Sequence, residues 1–269
     1  MWPTLIKIGS FEITTFGLMM FAGFLVGAWL MTKEFRRLGV EEDLASNILI
    51  AAVIGGILGG KIYYAILYGD LSLVFSRAGL VWYGGLLGGF LAASIVVMRS
   101  RTDYLTAADG VAPGLAIGYA LGRVGCFLVG DDYGKPTDSW VGIAFPEGAP
   151  PTTARSLRAF GVDLDPSIPG DAVLQVHPTQ LYTAFSFFAF TAILLWISRN
   201  HYWRGRIWSL FLIFLGVERF LIEILRAKDD RFFGDFTLAQ LISIVIVVIG
   251  AGLLIVRERA RLRAAEAEV

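Results

Sequence analysis

Seven long runs of apolar residues, separated by polar connections of which all but one are short, set the predicted secondary structure of the chain. Each run reaches the roughly 20 residues that an α-helix needs to cross a hydrocarbon core about 30 Å thick, at about 1.5 Å per residue. The runs lie at residues 13–32, 45–68, 79–98, 105–128, 179–198, 206–226 and 237–256. None alternates as a barrel strand would. The pattern predicts an all-α integral membrane protein, one polytopic domain (1–269) with seven transmembrane helices.

Glycines are concentrated in the third and fourth apolar runs. Small residues let helices approach each other closely in lipid. We therefore expect each of these two helices to approach a neighbouring helix closely. The glycines that repeat along them are Gly84, Gly85, Gly88 and Gly89 in the third run and Gly110, Gly114, Gly118, Gly122 and Gly125 in the fourth.

Composition supports a bilayer as the solvent. Hydrophobic residues make up 56% of the 269 positions, charged residues only 17%, and the mean hydropathy is +0.65. A soluble domain usually carries about 25% charged residues. The net charge of zero gives no indication of a nucleic-acid partner, and the single cysteine, Cys126, excludes an internal disulfide. The residue pattern predicts no metal site and no cofactor.

Lysine and arginine in the connections predict the orientation, because cytoplasmic loops carry an excess of both. The connections on the predicted outer side carry eight lysines and arginines, three of them within one long loop at 129–176. The twelve on the predicted cytoplasmic side are Lys33, Arg36, Arg37, Arg99, Arg101, Arg199, Arg204, Arg206, Arg257, Arg259, Arg261 and Arg263. This asymmetry predicts an outside N-terminus, a cytoplasmic C-terminus and an extracytoplasmic loop subdomain at 129–176 between the fourth and fifth helices.

Three cations remain once the residues of the connections and at the ends of the runs are accounted for: Lys61, Arg123 and Arg219. A charge at membrane depth costs at least about 2.5–3.5 kcal/mol on insertion scales, so each is a candidate functional residue. The topology puts all three in the outer half of the bilayer, at the depth of Tyr83 and His177. Convergence of five polar groups from five spans predicts one pocket. Arginine forks suit the phosphate of a lipid headgroup whose tails stay in the membrane.

Structural roles are the competing interpretation for several of these residues. Glu223 follows Arg219 by four residues on one helix face, a spacing that suits a purely structural ion pair. Lys61 lies near a helix end and could extend its charge to the interface. A lone histidine such as His177 is more often a structural hydrogen-bonding residue than a catalyst. Arg123 has no acid three or four residues away in its helix, so a structural pair explains it less well.

Four segments in a fixed order carry a family resemblance. They are 81–89 (VWYGGLLGG), 122–134 (GRVGCFLVGDDYG), 177–182 (HPTQLY) and 219–223 (RFLIE). With seven predicted spans and a long outer loop, they resemble the prolipoprotein diacylglyceryl transferases of bacterial inner membranes. The resemblance covers most of the chain and implies localisation in the bacterial cytoplasmic membrane.

The resemblance also implies a reaction. A diacylglyceryl group would move from phosphatidylglycerol to the thiol of a lipobox cysteine in a prolipoprotein signal peptide, leaving a thioether and glycerol phosphate. By resemblance, Arg123 and Arg219 hold the phosphate and Glu223 orients Arg219. Residues implied in substrate binding are Lys61, Gly84, Gly85, Gly134, Gln180 and Tyr182. The substrate thiol must lose its proton, and Tyr83, Asp131 and His177 are the candidate bases.

Several positions depart from the usual residues of the family. Tyr83 stands where histidine is common, Cys126 where asparagine is common and Asp131 where glutamate is common. Phe16 replaces a usual tyrosine, and Lys61 a typical arginine. Neutral tyrosine is a weaker base than histidine at neutral pH. The basic residues of the family pattern are therefore matched in this chain, but the resemblance does not identify the residue that accepts the thiol proton. Two other hypotheses are a family-like paralogue that binds lipid or modifies another acceptor, and a transporter or channel, which charges gathered near one face disfavour.

Overall fold

Helices dominate the computed structural model, which describes residues 4–8, 11–76, 79–228 and 231–267. The helices are α1 (Thr15–Leu38), α2 (Asp43–Tyr68), α3 (Trp82–Arg99), α4 (Tyr104–Val129), α5 (Ala154–Ala159), α6 (Thr179–Asn200), α7 (Arg206–Leu225) and α8 (Leu238–Ala267). Three short antiparallel pairs accompany them: β1 (Thr4–Ile8) with β2 (Phe11–Thr14), β3 (Ile143–Ala144) with β4 (Gln175–Val176), and β5 (Arg231–Phe233) with β6 (Phe236–Thr237).

Five of these helices, namely α1, α2, α4, α6 and α8, are long and apolar enough to cross a membrane. The chain is therefore an α-helical membrane protein. Helix α3 has only 18 residues, and α7 carries three charged residues, Glu218, Arg219 and Glu223, in its second half. A helix corresponds to each of the seven predicted spans, but the crossing of the membrane by all seven stays a proposal.

Two helices extend well beyond their predicted apolar runs. Helix α1 continues to Leu38 and α8 to Ala267, whereas the apolar pattern ends at 32 and 256. The added turns are rich in charge, including Arg36 and Arg37 at the end of α1. Hydropathy marks the lipid-facing part of a helix, while backbone hydrogen bonding continues into water.

The chain divides into two compact units, residues 28–114 and residues 1–27 with 115–269. In the first unit, α2 and α3 pack through glycines. A Cβ on Gly55 would lie 2.5 Å from Gly88 O, and one on Gly59 would meet Gly84 O. Small residues four apart on both helices bring the backbones together, as the glycine pattern of the third run predicts. The buried cluster of this unit includes Phe35.

The second unit holds the first part of α1, the second part of α4, and α5 to α8. A Cβ on Gly23 of α1 would lie 3.1 Å from Gly118 O of α4, so these segments also pack closely. Phe214 of α7 meets α6 edge-to-face at Phe187 (5.2 Å between ring centroids) and stacked at Phe190 (3.8 Å). The packing brings the beginning of α6 beside the end of α7.

The segment between α4 and α6 forms a small folded body within the second unit. Its buried cluster includes Tyr133, Phe145, Leu157 and Val176, and β3 pairs with β4 across it. An isolated bridge joins Gly134 to the residue that follows α7. This body therefore attaches to the ends of α6 and α7 that carry the candidate chemistry.

Candidate active site

Arg123, near the end of α4, is the first of three arginines in one ion-pair network. Its side chain is 12% exposed, and Nη1 donates to Asp132 Oδ2 at 2.9 Å. Nη2 donates to the hydroxyl of Tyr119 at 3.2 Å, one helical turn earlier, with the guanidinium carbon 5.4 Å from the ring centroid. Arg123 Nε is buried and has no hydrogen-bond partner among the described residues. The acid that pairs with Arg123 thus comes from the following loop.

Asp132 joins Arg123 to a second arginine, Arg226, which directly follows α7. Arg226 Nη2 donates to Asp132 Oδ1 at 2.7 Å. Asp132 has a φ of 54°, a left-handed conformation in which aspartate is enriched relative to most residues. Burial alone would raise the pKa of Asp132, but the charges of Arg226 and Arg123 outweigh it and lower that pKa below its usual value. The carboxylate is therefore ionised at neutral pH.

Glu223 extends the network to the third arginine. Its Oε2 lies 2.6 Å from Arg219 Nη2 and 3.6 Å from Arg226 Nη1, and its side chain is 1% exposed. The first contact agrees with the four-residue spacing on α7. Since Oε2 lacks hydrogen-bond geometry, the contact is an ion pair and not an aligned hydrogen bond. The chain of pairs runs Arg123–Asp132–Arg226–Glu223–Arg219, so the two predicted phosphate-binding arginines are connected.

Gly134 lies where the loop after α4 crosses the ends of α6 and α7. Its N–H donates to His177 O at 2.8 Å, and the N–H of Lys135 donates to Leu225 O at 2.7 Å. A Cβ on Gly134 would lie 2.6 Å from Leu225 O and 2.9 Å from both His177 Cβ and Thr179 Cγ2. Only glycine allows this backbone approach, which holds Asp132 in register with the end of α7.

Asp131, a candidate base, is partly buried, and its Oδ1 has no hydrogen-bond partner in the described part of the chain. Burial raises the pKa of Asp131, and the charge of Asp132 adds to the effect. The Cys126 thiol lies beside this carboxylate and 4.0 Å from Arg123 Nη1. Gln180 Nε2 donates to the backbone carbonyl of Asp131, which ties the segment to the beginning of α6.

His177 precedes α6, and its ring contacts a tyrosine of that helix. His177 Nδ1 lies 3.2 Å from the hydroxyl of Tyr182, and which atom donates depends on the imidazole tautomer. The backbone of His177 also accepts from Gly134 and donates to the carbonyl of Lys135. These contacts give His177 a structural role in joining the loop to α6, whatever its part in proton transfer.

Four of the predicted site residues belong to the unit 28–114. Lys61 Nζ donates to the carbonyl of Ser76 at 2.6 Å, so its ammonium is held by the segment after α2. Tyr83, 41% exposed, lies in the first turn of α3. Gly84 and Gly85 face the backbone of α2. Their approach to the arginine network stays a prediction.

Two members of the network, and one buried acid beside it, were missed in the sequence or given too little weight there. Arg226 counts as a basic residue of the outer connections, although its position three residues after Glu223 places both on one side of a helix end. Asp132 stands inside a singled-out segment, but no spacing rule pairs it with an arginine 94 positions later. Glu218, 7% exposed, directly precedes Arg219, and an acid inside an apolar run is a signal of its own.

Comparison with known proteins gives a consistent family match. The family model described as prolipoprotein diacylglyceryl transferase matches residues 3–256. A phosphatidylglycerol–prolipoprotein diacylglyceryl transferase of Clostridium tetani is 31% identical over 93% of this chain and 95% of its own length. One from Clostridium perfringens is 34% identical over 91% of both. A relative of the same name from Aeromonas hydrophila is 30% identical over 93% of this chain and 88% of its own.

Proposed function

The chain belongs to the prolipoprotein diacylglyceryl transferase family, and from this membership we propose that it transfers the diacylglyceryl group of phosphatidylglycerol to the lipobox cysteine thiol of prolipoproteins. The relatives' names specify the donor lipid and the acceptor class. The arginine network is the feature of this chain that supports the same chemistry.

The observation that carries the proposal is the pair of buried, unpartnered donors on the two arginines at the ends of the network. Arg123 Nε and Arg219 Nη1 have no hydrogen-bond partner within the described residues. A buried donor left unpaired costs about 1–3 kcal/mol, and a charged donor costs more. Phosphate oxygens would satisfy both donors through charge-assisted hydrogen bonds. Asp132 and Glu223 keep the guanidinium groups oriented before the lipid arrives.

In the proposed reaction, the thiolate sulfur attacks the glyceryl carbon that carries the phosphate ester oxygen. A C–S bond forms, the C–O bond breaks, and the electron pair leaves with the oxygen as glycerol phosphate. Negative charge grows on the leaving phosphate, and Arg123 and Arg219 offset it. Removing one positioned donor of this kind typically costs about 10²–10³ in kcat. Glu223 orients Arg219 through their ion pair.

The proton of the thiol goes to a general base, for which Tyr83, Asp131 and His177 are the three candidates. Asp131 has a raised pKa and a buried, unpartnered oxygen, and His177 has a ring nitrogen near Tyr182. Each candidate can be tested through the pH profile of its variant, since general-base catalysis follows the protonation state of one group. The remaining proposed substrate-binding residues are Lys61, Gly84, Gly85, Gly134, Gln180 and Tyr182.

We further propose that all seven long helices cross the bacterial cytoplasmic membrane, with the N-terminus outside and the C-terminus inside. The distribution of lysine and arginine between the connections supports this orientation. It puts the arginine network at the outer leaflet, beside the loop at 129–176. A signal peptide anchored in the same membrane could then present its cysteine to the lipid headgroup.

The test is a transfer assay with purified protein. Phosphatidylglycerol labelled in its acyl chains is mixed with a synthetic lipobox peptide, and a peptide with serine in place of cysteine is the control. We expect label on the cysteine peptide alone, with the mass of a thioether-linked diacylglyceryl group. Lipid binding without any thioether product would contradict the proposal and favour a paralogue that binds lipid.

A further inference from the structure

Three buried polar side chains between α6 and α7 have no part in the network described above. Gln180 is 0% exposed, Thr183 1% and Glu218 7%. Gln180 Oε1, Thr183 Oγ1 and Glu218 Oε1 each lack a hydrogen-bond partner among the described residues. Buried polar atoms are nearly always satisfied in folded proteins. Three unsatisfied oxygens together therefore point to hydrogen-bond donors that come from outside the chain.

Two of the three side chains lie beside each other, and the third is one turn away on the same side of its helix. Gln180 and Thr183 are one turn apart on α6, on the same side of the helix. The hydroxyl of Thr183 lies beside the carboxylate of Glu218 on α7, although the two do not reach hydrogen-bond geometry. The charge of Glu218 also interacts with Arg123 and Arg219. The cluster is thus adjacent to both arginines proposed to bind phosphate.

The chemistry of the cluster selects its ligand. Gln180 Oε1 is an acceptor, because the amide nitrogen of the same side chain is already used on the carbonyl of Asp131. A carboxylate accepts only, and a threonine hydroxyl can do either. A ligand with two or more hydroxyl groups close to a phosphate fits these needs. The terminal glycerol of phosphatidylglycerol has two free hydroxyls next to its phosphodiester.

We propose that Gln180, Thr183 and Glu218 form a subsite that binds the terminal glycerol hydroxyls of the lipid headgroup. This inference rests on the proposed function and adds the basis of headgroup selection. Glu218 accepts a charge-assisted hydrogen bond from one hydroxyl, and Gln180 and Thr183 bind the second hydroxyl. A headgroup without hydroxyls leaves these buried acceptors unpaired, which a hydrogen-bonding site penalises strongly.

The test compares two donor lipids with the purified full-length protein and a lipobox peptide. Phosphatidylpropanol keeps the phosphodiester and acyl chains of phosphatidylglycerol but lacks both headgroup hydroxyls. The wild type should favour phosphatidylglycerol by about 10–100-fold in kcat/KM, the range expected for hydrogen bonds to a buried charged group. Glu218→Leu should bring that ratio close to one, whereas Glu218→Gln, which keeps a neutral acceptor oxygen, should retain a smaller preference of at least about twofold.

Two buried threonines on α6 provide a matched pair of variants that distinguishes loss of the subsite from loss of folding. Thr183→Val should reduce the lipid preference, whereas Thr191→Val should not, because the buried hydroxyl of Thr191 already donates to Phe187 O at 2.7 Å. Equal use of both lipids by the wild type would overturn the subsite and leave water as its occupant. An unchanged ratio in Glu218→Leu and Thr183→Val would overturn it too. Product from neither lipid would refute the transferase function, and the subsite with it.

Discussion

Replacing Gly134 with alanine tests whether the crossing of the loop over α7 positions the arginine network. The new Cβ would lie 2.6 Å from Leu225 O and 2.9 Å from His177 Cβ and Thr179 Cγ2. Optimal contacts between heavy atoms are about 3.5–4.0 Å. The loop must therefore move by roughly 0.5–1 Å relative to the ends of α6 and α7. Overpacking of this kind costs about 1–3 kcal/mol.

The displacement also reaches the chemistry, because Asp132 lies two residues before Gly134 and pairs with Arg226 after α7. A misplacement of about 1 Å can reduce a rate by about 100-fold. Gly134→Ala should thus lower both Tm and kcat/KM for transfer from phosphatidylglycerol. Gly252→Ala in α8 is the control, since a Cβ there meets nothing within 4 Å, and it should keep wild-type activity. If Gly134→Ala matches this control in Tm and turnover, the positioning argument is wrong.

Three further predictions concern charge and packing. Asp132→Asn should lower the free energy of unfolding by about 1–2 kcal/mol and reduce turnover, because two partly buried arginines lose a half-exposed carboxylate; Asp138→Asn, an exposed control, should change neither. Burial raises the pKa of Asp131, so its contribution to stability falls as pH rises from about 4. The Tm of Asp131→Asn minus that of the wild type should increase from pH 4 to 7, and a decrease would contradict the assignment. Gly59→Ala should lower Tm because its Cβ meets backbone of α3, whereas Gly56→Ala, 3.5 Å from the nearest atom, should not; equal Tm values would refute tight α2–α3 packing.

Local spacing was enough to predict several features of the site. The Arg219–Glu223 pair follows from a four-residue separation on one helix, and its ends lie 2.6 Å apart. Close packing of α3 follows from its paired glycines. Apolar run length located each of the long helices among the described residues, although it missed the charged ends of α1 and α8. These features depend on residues within a few turns of each other, which a sequence pattern contains.

Local spacing did not predict the contacts between residues that are distant in the sequence. Asp132 bridges an arginine nine residues before it and another 94 residues after it. That arrangement depends on a left-handed residue, a glycine crossing and the docking of the loop onto α7, none of which has a periodic signal. The burial of Gln180 and Thr183 opposite Glu218 likewise depends on how α6 and α7 pack. A helical pattern predicts which face is polar, but it does not identify the neighbouring helix.

The most direct test of the account is the turnover of Arg123→Ala with phosphatidylglycerol and a lipobox peptide, measured beside Arg155→Ala as an exposed control. If Arg123 binds the phosphate and offsets the charge of the leaving group, kcat/KM should fall by at least about 100-fold, while the control stays at the wild-type value. A kcat/KM of Arg123→Ala within about twofold of the wild type would contradict the central role of this arginine. Such a change corresponds to less free energy than one typical hydrogen bond contributes.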